Sequence, residues 1–280
     1  MENNNQNIKH ETTLYAEHIG NIGSFSVTNA LITGWGTVVV ILFLAAALKR
    51  GFREIPKGIQ NIFEIILEGA LALCDQVTNS RKISTAIFPL AFCVFIFILI
   101  NNWLGLLPLG GFGILETSKN GSSFIPFLRS GTADINTTLG LSLMAVIGAN
   151  LFGIFSIGVW KMFNKFVNLK TLGQAFGKVR KDPVVLIVAP VTFLVGVLEL
   201  IGEFAKIASL SFRLFGNIFA GEVLLMAMSA ILPYALPVPF LFLEIFVGLI
   251  QALIFAILLL VYFTIASQDH EEHEVEEVHA

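Results

Sequence analysis

Residues Val191–Leu232 read VTFLVGVLELIGEFAKIASLSFRLFGNIFAGEVLLMAMSAIL, a long apolar segment without a proline. A continuous helix of this length would extend about 63 Å at 1.5 Å per residue. That is roughly twice the ~30 Å thickness of a hydrocarbon core. The segment is therefore either a broken helix or one tilted far beyond the usual ~20°. The proline-rich residues Pro233–Pro239 predict a turn, so this segment and the next apolar run form a hairpin.

The composition of the whole chain is that of a membrane protein. Hydrophobic residues make up 55% of the 280 residues and charged residues only 13%, about half the roughly 25% of an average soluble domain. This composition and a net charge of −3 exclude a nucleic-acid-binding protein, a disordered chain and an ordinary soluble enzyme. A span needs roughly 20 apolar residues. Runs of suitable length cover Leu31–Leu48, Ser84–Leu107, Thr138–Trp160, Pro183–Leu232 and Phe240–Ala266.

The segment Pro56–Asn79 has a different pattern. At about 100° per residue, its polar side chains fall within one sector of about 100°, and its apolar side chains lie away from that sector. This pattern is typical of an amphipathic helix that lies on a membrane surface; a sixth membrane span is the alternative. The polar positions are Lys57, Gln60, Asn61, Glu64, Glu68 and Asp75.

The distribution of Lys and Arg predicts the orientation, because basic residues concentrate in cytoplasmic loops. If Pro56–Asn79 does not cross the membrane, most basic residues outside the apolar runs fall on one side. That side has Lys49, Arg50, Arg53, Lys57, Arg81, Lys82, Lys161, Lys165, Lys170, Lys178, Arg180 and Lys181, and the other has Lys9, Lys119 and Arg129. We therefore predict an outside N-terminus and a cytoplasmic C-terminus.

These patterns together predict an all-α polytopic membrane protein. It has about five transmembrane helices plus one amphipathic surface helix, and the last two spans form a long tilted hairpin. The predicted organisation is a polar N-terminal segment, 1–27, outside; a single integral membrane domain, 28–267; and an acidic cytoplasmic tail, 268–280.

The hairpin carries ionisable side chains where the membrane is expected, although each costs at least ~2.5–3.5 kcal/mol on insertion scales. An arginine keeps its proton at any reachable pH, so protons can reside on carboxylates to either side of Arg213 but not on Arg213. The pattern favours two half-pathways separated by a fixed positive charge, with structural ion pairing between helices as the alternative. One polar stripe of the first helix comprises Glu199, Glu203, Lys206, Arg213 and Asn217; Glu222 faces elsewhere, and Glu244 and Gln251 share a face of the second helix.

Residues Ser211–Glu222, SFRLFGNIFAGE, resemble the signature of the subunit a family of F-type ATP synthases, the stator channel subunit of their membrane sector. Three other stretches are similar to family motifs: QALIFA from Gln251, NNWLGLLP at Asn101–Pro108 and TADINTT at Thr132–Thr138. The resemblance extends from about Leu31 to Ala266, which is most of the chain.

The resemblance implies that Arg213 is the essential residue facing a ring of c subunits, each with one carboxylate in mid-membrane. It implies an outer half-channel and an inner one, and it implies a multi-pass protein of the bacterial plasma (inner) membrane. The implied partners are the c-ring, the subunit b stalk and other ATP synthase subunits, and the implied ion is a proton, with Na⁺ as the alternative. The outer residues are Asn217, Glu222, Glu244 and Gln251, with Asn102 and Asp134 as further candidates; the inner ones are Glu199, Glu203 and Lys206.

The chain has no phosphate-binding GxxxxGK[ST] motif, so we expect a non-catalytic subunit that holds no metal and no cofactor. Two other functions remain open from the residues alone. A self-contained secondary transporter should show inverted repeats, which the sequence lacks. A non-conducting scaffold subunit would hold its charges in salt bridges.

Overall fold

The computed structural model describes residues 15–23, 25–51, 58–107, 113–118, 121–126, 128–160, 185–233 and 235–267. The predicted basic loop Lys161–Asp182 and acidic tail 268–280, like residues 1–14, lie outside these ranges. The helices are α1 (Asn29–Gly51), α2 (Ile59–Thr78), α3 (Arg81–Leu106), α4 (Ile135–Ile157), α5 (Val185–Ile231) and α6 (Pro237–Ser267). The strands are β1 (His18–Ile22), β2 (Phe25–Thr28), β3 (Gly113–Ser118) and β4 (Gly121–Pro126).

Five of the helices are long and apolar enough to cross a membrane, which confirms the predicted all-α polytopic architecture. These candidate spans are Asn29–Lys49, Arg81–Leu106, Ile135–Ile157, Leu194–Ile231 and Pro237–Ser267. Helix α2 is the additional helix predicted from the amphipathic segment. It packs against α3 and α6.

A tight corner joins α2 to α3. Asn79 closes α2 in the left-handed conformation, with φ 52°, which asparagine tolerates better than most residues. Across the corner, Arg81 forms an ion pair with Asp75, and the hydroxyls of Thr78 and Ser84 lie 2.6 Å apart. These contacts fix the direction in which α3 leaves α2.

Helix α5 is continuous over 47 residues, so the long apolar segment is unbroken. At 1.5 Å per residue it is about 70 Å long, and it can remain in a bilayer only by tilting or by extending beyond it. Helix α5 ends at Ile231, and α6, which packs back against it, begins at Pro237. Proline suits the first helical position because its missing N–H has no intrahelical partner there.

The core of the bundle lies around α6, which packs against α2, α3, α4 and α5. Its Phe255 and Leu259 are almost fully buried. Helix α5 buries Leu210 and Leu214 against α4 and α6. The opposite face of α5 is exposed, including Phe212 and Arg213.

The sequence analysis did not anticipate two short antiparallel hairpins. Strands β1 and β2 pair just before α1, and β3 pairs with β4 between α3 and α4. Both lie in connecting segments, where short strand signals are weak. They leave the helical architecture unchanged and bring the residues before α1 close to the loop before α4.

Candidate functional site in the α5–α6 hairpin

The middle of α5 carries an exposed cation. Arg213 lies between the buried residues Ser211 and Leu214 but points out of the bundle. Its Nη2 donates a hydrogen bond of 3.4 Å to Oγ of Ser209, one turn earlier. Within the described ranges Arg213 has no carboxylate partner. A permanent positive charge therefore stands on the surface of a candidate membrane span with only a hydroxyl beside it.

One turn after Arg213, the hairpin has a polar contact between its two helices. Nδ2 of Asn217 donates a hydrogen bond of 2.6 Å to Oε1 of Gln251 on α6. Gln251 is buried, and its Nε2 has no hydrogen-bond partner among the described residues. The structure thus brings these two predicted site residues together and leaves one amide donor unused, as expected where a water or a further group binds.

Towards the Val185 end of α5, the second cation is paired within the chain. Nζ of Lys206 lies 2.7 Å from Oε1 of Glu203 and 5.4 Å from the ring centroid of Tyr262. Nδ2 of Asn150 on α4 donates to the other oxygen of Glu203 at 3.2 Å. These four residues, the Lys206 cluster, line a small cleft between α4, α5 and α6.

Two further residues belong to this end of the hairpin. Glu199 is half-buried on α5, one turn before Glu203. Asn150 was missed by the sequence analysis, because an asparagine in an apolar helix carries no charge signal. Its Nδ2 also donates to the carbonyl of Val146 at 3.0 Å, so it is held in place by its own helix.

Towards the Ile231 end, Glu222 is paired with a residue that the sequence analysis did not assign to the site. Nε of Arg129 lies 2.9 Å from Oε1 of Glu222, and Nη2 lies 2.9 Å from Oε2. Arg129 is 5% exposed, and its Nη1 donates to the backbone carbonyl of Tyr15 at 3.0 Å. One signal was available: Arg129 is the only charged residue between Asn120 and Ala133.

Glu244 lies on the facing helix and is buried. Its carboxylate rests against Gly221, where a methyl group would overlap it. Because Gly221 has no side chain, the end of the Glu244 side chain occupies the space beside it, between α5 and α6. Glu244 therefore reaches α5 one residue away from Glu222, whose own carboxylate is directed to Arg129.

Two further outer candidates form hydrogen bonds within the chain. Asn102 donates to the carbonyl of Gly248 at 3.2 Å and accepts from Thr132 at 2.5 Å. Asp134 caps α4 by accepting from the backbone N–H of Asn136 at 3.2 Å. Asn102 ties α3 and α6 to the loop that carries Arg129, and Asp134 fixes the start of α4.

The described part of the chain contains no group of three or more His, Cys, Asp or Glu side chains that could hold a metal ion. The candidate site is instead a row of charged and amide groups along one hairpin. Two cations are paired at its ends, and Arg213 is exposed between them. At 1.5 Å per residue, Arg213 lies about 10.5 Å from Lys206 and about 13.5 Å from Glu222 along α5.

Comparisons with known proteins show the family of the chain. A family model described as "ATP synthase A chain" matches residues 31–264. ATP synthase subunit a of Mycobacterium bovis is 34% identical over 243 residues, covering 85% of both chains. The subunits of Syntrophobacter fumaroxidans and Gloeobacter violaceus are 32% and 31% identical, and the matches cover 88% and 90% of this chain and 87% and 89% of theirs.

The fold and the charged hairpin define a multi-pass, ion-translocating subunit of a bacterial membrane. The chain belongs to the ATP synthase subunit a family, the proton-translocating and non-catalytic subunit of the Fo sector. It works with the other subunits of an ATP synthase, and its role is proton transport in ATP synthesis.

Proposed function

We propose that this chain forms two offset proton half-channels against a rotating c-ring and that Arg213 separates them. The observation that carries the proposal is the exposed position of Arg213 on a candidate membrane span, without a carboxylate partner in the described chain. A charge inside a membrane costs at least ~2.5–3.5 kcal/mol. A carboxylate on a neighbouring c subunit offsets this cost and explains why the arginine faces away from its own bundle.

The outer half-channel leads from the Ile231 end of α5 towards Arg213. It contains Glu222, Glu244, Asn217 and Gln251. The short hydrogen bond between Asn217 and Gln251 lies nearest the arginine. Asn102 and Asp134 support this end of the bundle through the hydrogen bonds that position the α3–α4 connection.

The inner half-channel leads to the Val185 end through Glu199 and the Lys206 cluster. We orient the chain with its N-terminus outside and its C-terminus in the cytoplasm, following the positive-inside rule. Its further partner is the subunit b stalk, which holds the stator against the turning ring. The same orientation places the polar segment 1–27 outside and the acidic tail 268–280 in the cytoplasm, on either side of the membrane domain 28–267.

The proposed mechanism follows from the position of Arg213 between the two half-channels. A proton from outside neutralises a c-ring carboxylate, which then turns into the lipid without an uncompensated charge. When that carboxylate reaches the inner half-channel, Arg213 within ~4–6 Å lowers its pKa, and the proton leaves. The guanidinium itself carries no proton onward, because it remains protonated at any reachable pH. Each charge that crosses gains roughly 2.3 kcal/mol per 100 mV of membrane potential.

The experiment is ATP-driven acidification of inverted vesicles that carry the whole complex. We expect Arg213→Ala to abolish acidification and Arg213→Lys to lose most of it, because lysine lacks the planar, multi-donor guanidinium. Arg81→Ala is the matched control, since Arg81 is an exposed arginine of α3 paired across the α2–α3 corner. Normal acidification by Arg213→Ala would overturn the proposal.

Cross-linking tests the predicted c-ring face. Phe212 is 61% exposed beside Arg213, and Phe155 on α4 is 87% exposed elsewhere on the bundle. With Cys74 and Cys93 replaced, Phe212→Cys should form a disulfide with a cysteine placed near the c-subunit carboxylate. Phe155→Cys should not. Equal cross-linking at both positions would mean that exposure of α5 does not mark the c-ring face.

A further inference from the structure

The pair formed by Arg129 and Glu222 has a third ionisable neighbour. Arg129 binds Glu222 through Nε and Nη2, and its Nη1 binds the carbonyl of Tyr15. Tyr15 lies two residues before Glu17, and the charges of both Arg129 and Glu222 act on the Glu17 carboxyl. We call the Tyr15 carbonyl, Glu17, Arg129 and Glu222 the Arg129 cluster.

Glu17 is held at this position by the start of α1. Its backbone N–H donates to Oδ1 of Asn29 at 3.2 Å, and its Oε2 accepts from Nδ2 of Asn29 at 3.4 Å. The backbone N–H of Asn29 returns a hydrogen bond of 3.1 Å to the Glu17 carbonyl. Asn29 is fully buried, so the segment before β1 is fixed to the membrane bundle at Glu17.

The charges of the Arg129 cluster do not balance. Among the described residues of the cluster, one guanidinium, which stays protonated, acts on two carboxylates, so these residues carry one net negative charge when both acids are ionised. Uptake of a single proton removes that charge. Burial raises the pKa of Glu17, Arg129 lowers it, and Glu222 raises it, with a net rise. A half-buried acid of this kind binds a proton more readily than an exposed glutamate.

We propose that Glu17 is the first proton-accepting residue of the outer half-channel and that Arg129 is the positioning residue that joins it to Glu222. This inference rests on the proposed function, because it extends the outer half-channel by one carboxylate. It assigns a role in proton entry to the residues before β1.

The proposed step is a proton transfer that balances without a co-reactant. A proton from outside water binds a carboxylate oxygen of Glu17. That O–H bond then breaks as an O–H bond forms on Glu222, and Glu17 returns to its ionised form. Glu244, which reaches α5 at Gly221, is the next acceptor. Arg129 keeps its proton throughout and aligns the Glu222 carboxylate.

The test measures passive proton conduction through vesicles that carry the complex after removal of its catalytic sector. Glu17→Gln preserves the shape of the side chain and an oxygen for Asn29, but it cannot take up a proton. We expect conduction to fall about tenfold, less than the ~10²–10⁴ typical of an irreplaceable proton-transfer group, because water can partly bypass the site. Glu17→Asp should retain most conduction. Glu68→Gln, an exposed glutamate of α2, is the control.

A second measurement covers the case in which Glu17→Gln does not assemble. Tyr15 is 65% exposed and contributes only its backbone carbonyl to the hydrogen bond with Arg129. Labelling Tyr15→Cys from outside with a bulky, membrane-impermeant thiol reagent should reduce conduction relative to the same unlabelled vesicles. The unsubstituted chain treated with the reagent is the control.

The outcomes separate this inference from the proposed function. Wild-type conduction in Glu17→Gln, or in labelled Tyr15→Cys, would overturn the role of Glu17. If Glu17 has no role but Arg213→Ala abolishes pumping, the proposal of two half-channels stands without Glu17. If Arg213→Ala pumps normally, the proposed function fails whatever Glu17 does.

Discussion

Lys206 and Arg129 each lie beside a carboxylate of the same chain, whereas Arg213 between them has only the hydroxyl of Ser209 as a side-chain hydrogen-bond partner among the described residues. The Lys206–Glu203 pair contacts α6 through Tyr262 and α4 through Asn150, and Arg129 connects α5 to the residues before β1. Arg213 connects α5 to nothing in the described bundle except its own preceding turn. The proposed function explains this difference: the paired cations hold this chain together, and Arg213 is assigned to the carboxylate of a neighbouring subunit.

The largest effect on stability is expected where a buried pair is broken. Arg129→Ala leaves Glu222 without its counter-ion and should lower the free energy of unfolding by about 3–5 kcal/mol. Thermal unfolding of the complex in detergent measures this loss of stability. The readout is the dissociation of this subunit from the complex. The double variant Arg129→Ala, Glu222→Gln should recover part of the loss. If the double variant is no more stable than the single one, the ion pair is not what stabilises this end.

An intermediate effect is expected at the contact between the two helices of the hairpin. Asn217→Ala leaves both polar atoms of the buried Gln251 amide, Oε1 and Nε2, without a described partner. We expect a loss of about 1–3 kcal/mol, the cost of an unsatisfied buried polar group. Denaturant unfolding in detergent measures this loss. The double variant Asn217→Ala, Gln251→Leu should recover stability but not proton pumping.

A smaller effect distinguishes a helix cap from a proton-carrying group. Asp134→Ala should cost about 0.5–2 kcal/mol through loss of the N-cap of α4. Asp134→Asn keeps a capping oxygen and should keep both stability and proton conduction. Reduced conduction by a stably assembled Asp134→Asn would instead place Asp134 in the outer half-channel.

The smallest effect concerns the surface pair at the α2–α3 corner. Hydrogen bonds from Ser84 and Arg81 lower the pKa of Asp75. Its contribution to stability is therefore present above the unfolded pKa of about 3.9 and is lost as pH falls through the lower folded value. In acid unfolding, Asp75→Asn should be less stable than wild type near neutral pH and should match it at pH values below the folded pKa of Asp75. An equal change at all pH values would refute this assignment.

The sequence predicted the helices better than it predicted their partners. The five spans follow from long apolar runs, and the position of Arg213 on α5 follows from helical periodicity. The pairing of Glu222 with Arg129 could not be predicted, because 93 residues separate them in the sequence. Likewise, Asn102 and Asp134 were candidates because they are polar residues in or beside predicted spans. Only the structure reveals the hydrogen bonds that they form within the chain.

The central claim is that Arg213 is the fixed barrier between two half-channels. Its most direct test is the passive proton leak of vesicles with an assembled complex in which the arginine is replaced by alanine, under an imposed membrane potential and without ATP. The account predicts a leak above wild type, uncoupled from rotation, because the two half-channels are then no longer separated by a permanent charge. A leak equal to wild type, together with normal ATP-driven pumping, would contradict the claim.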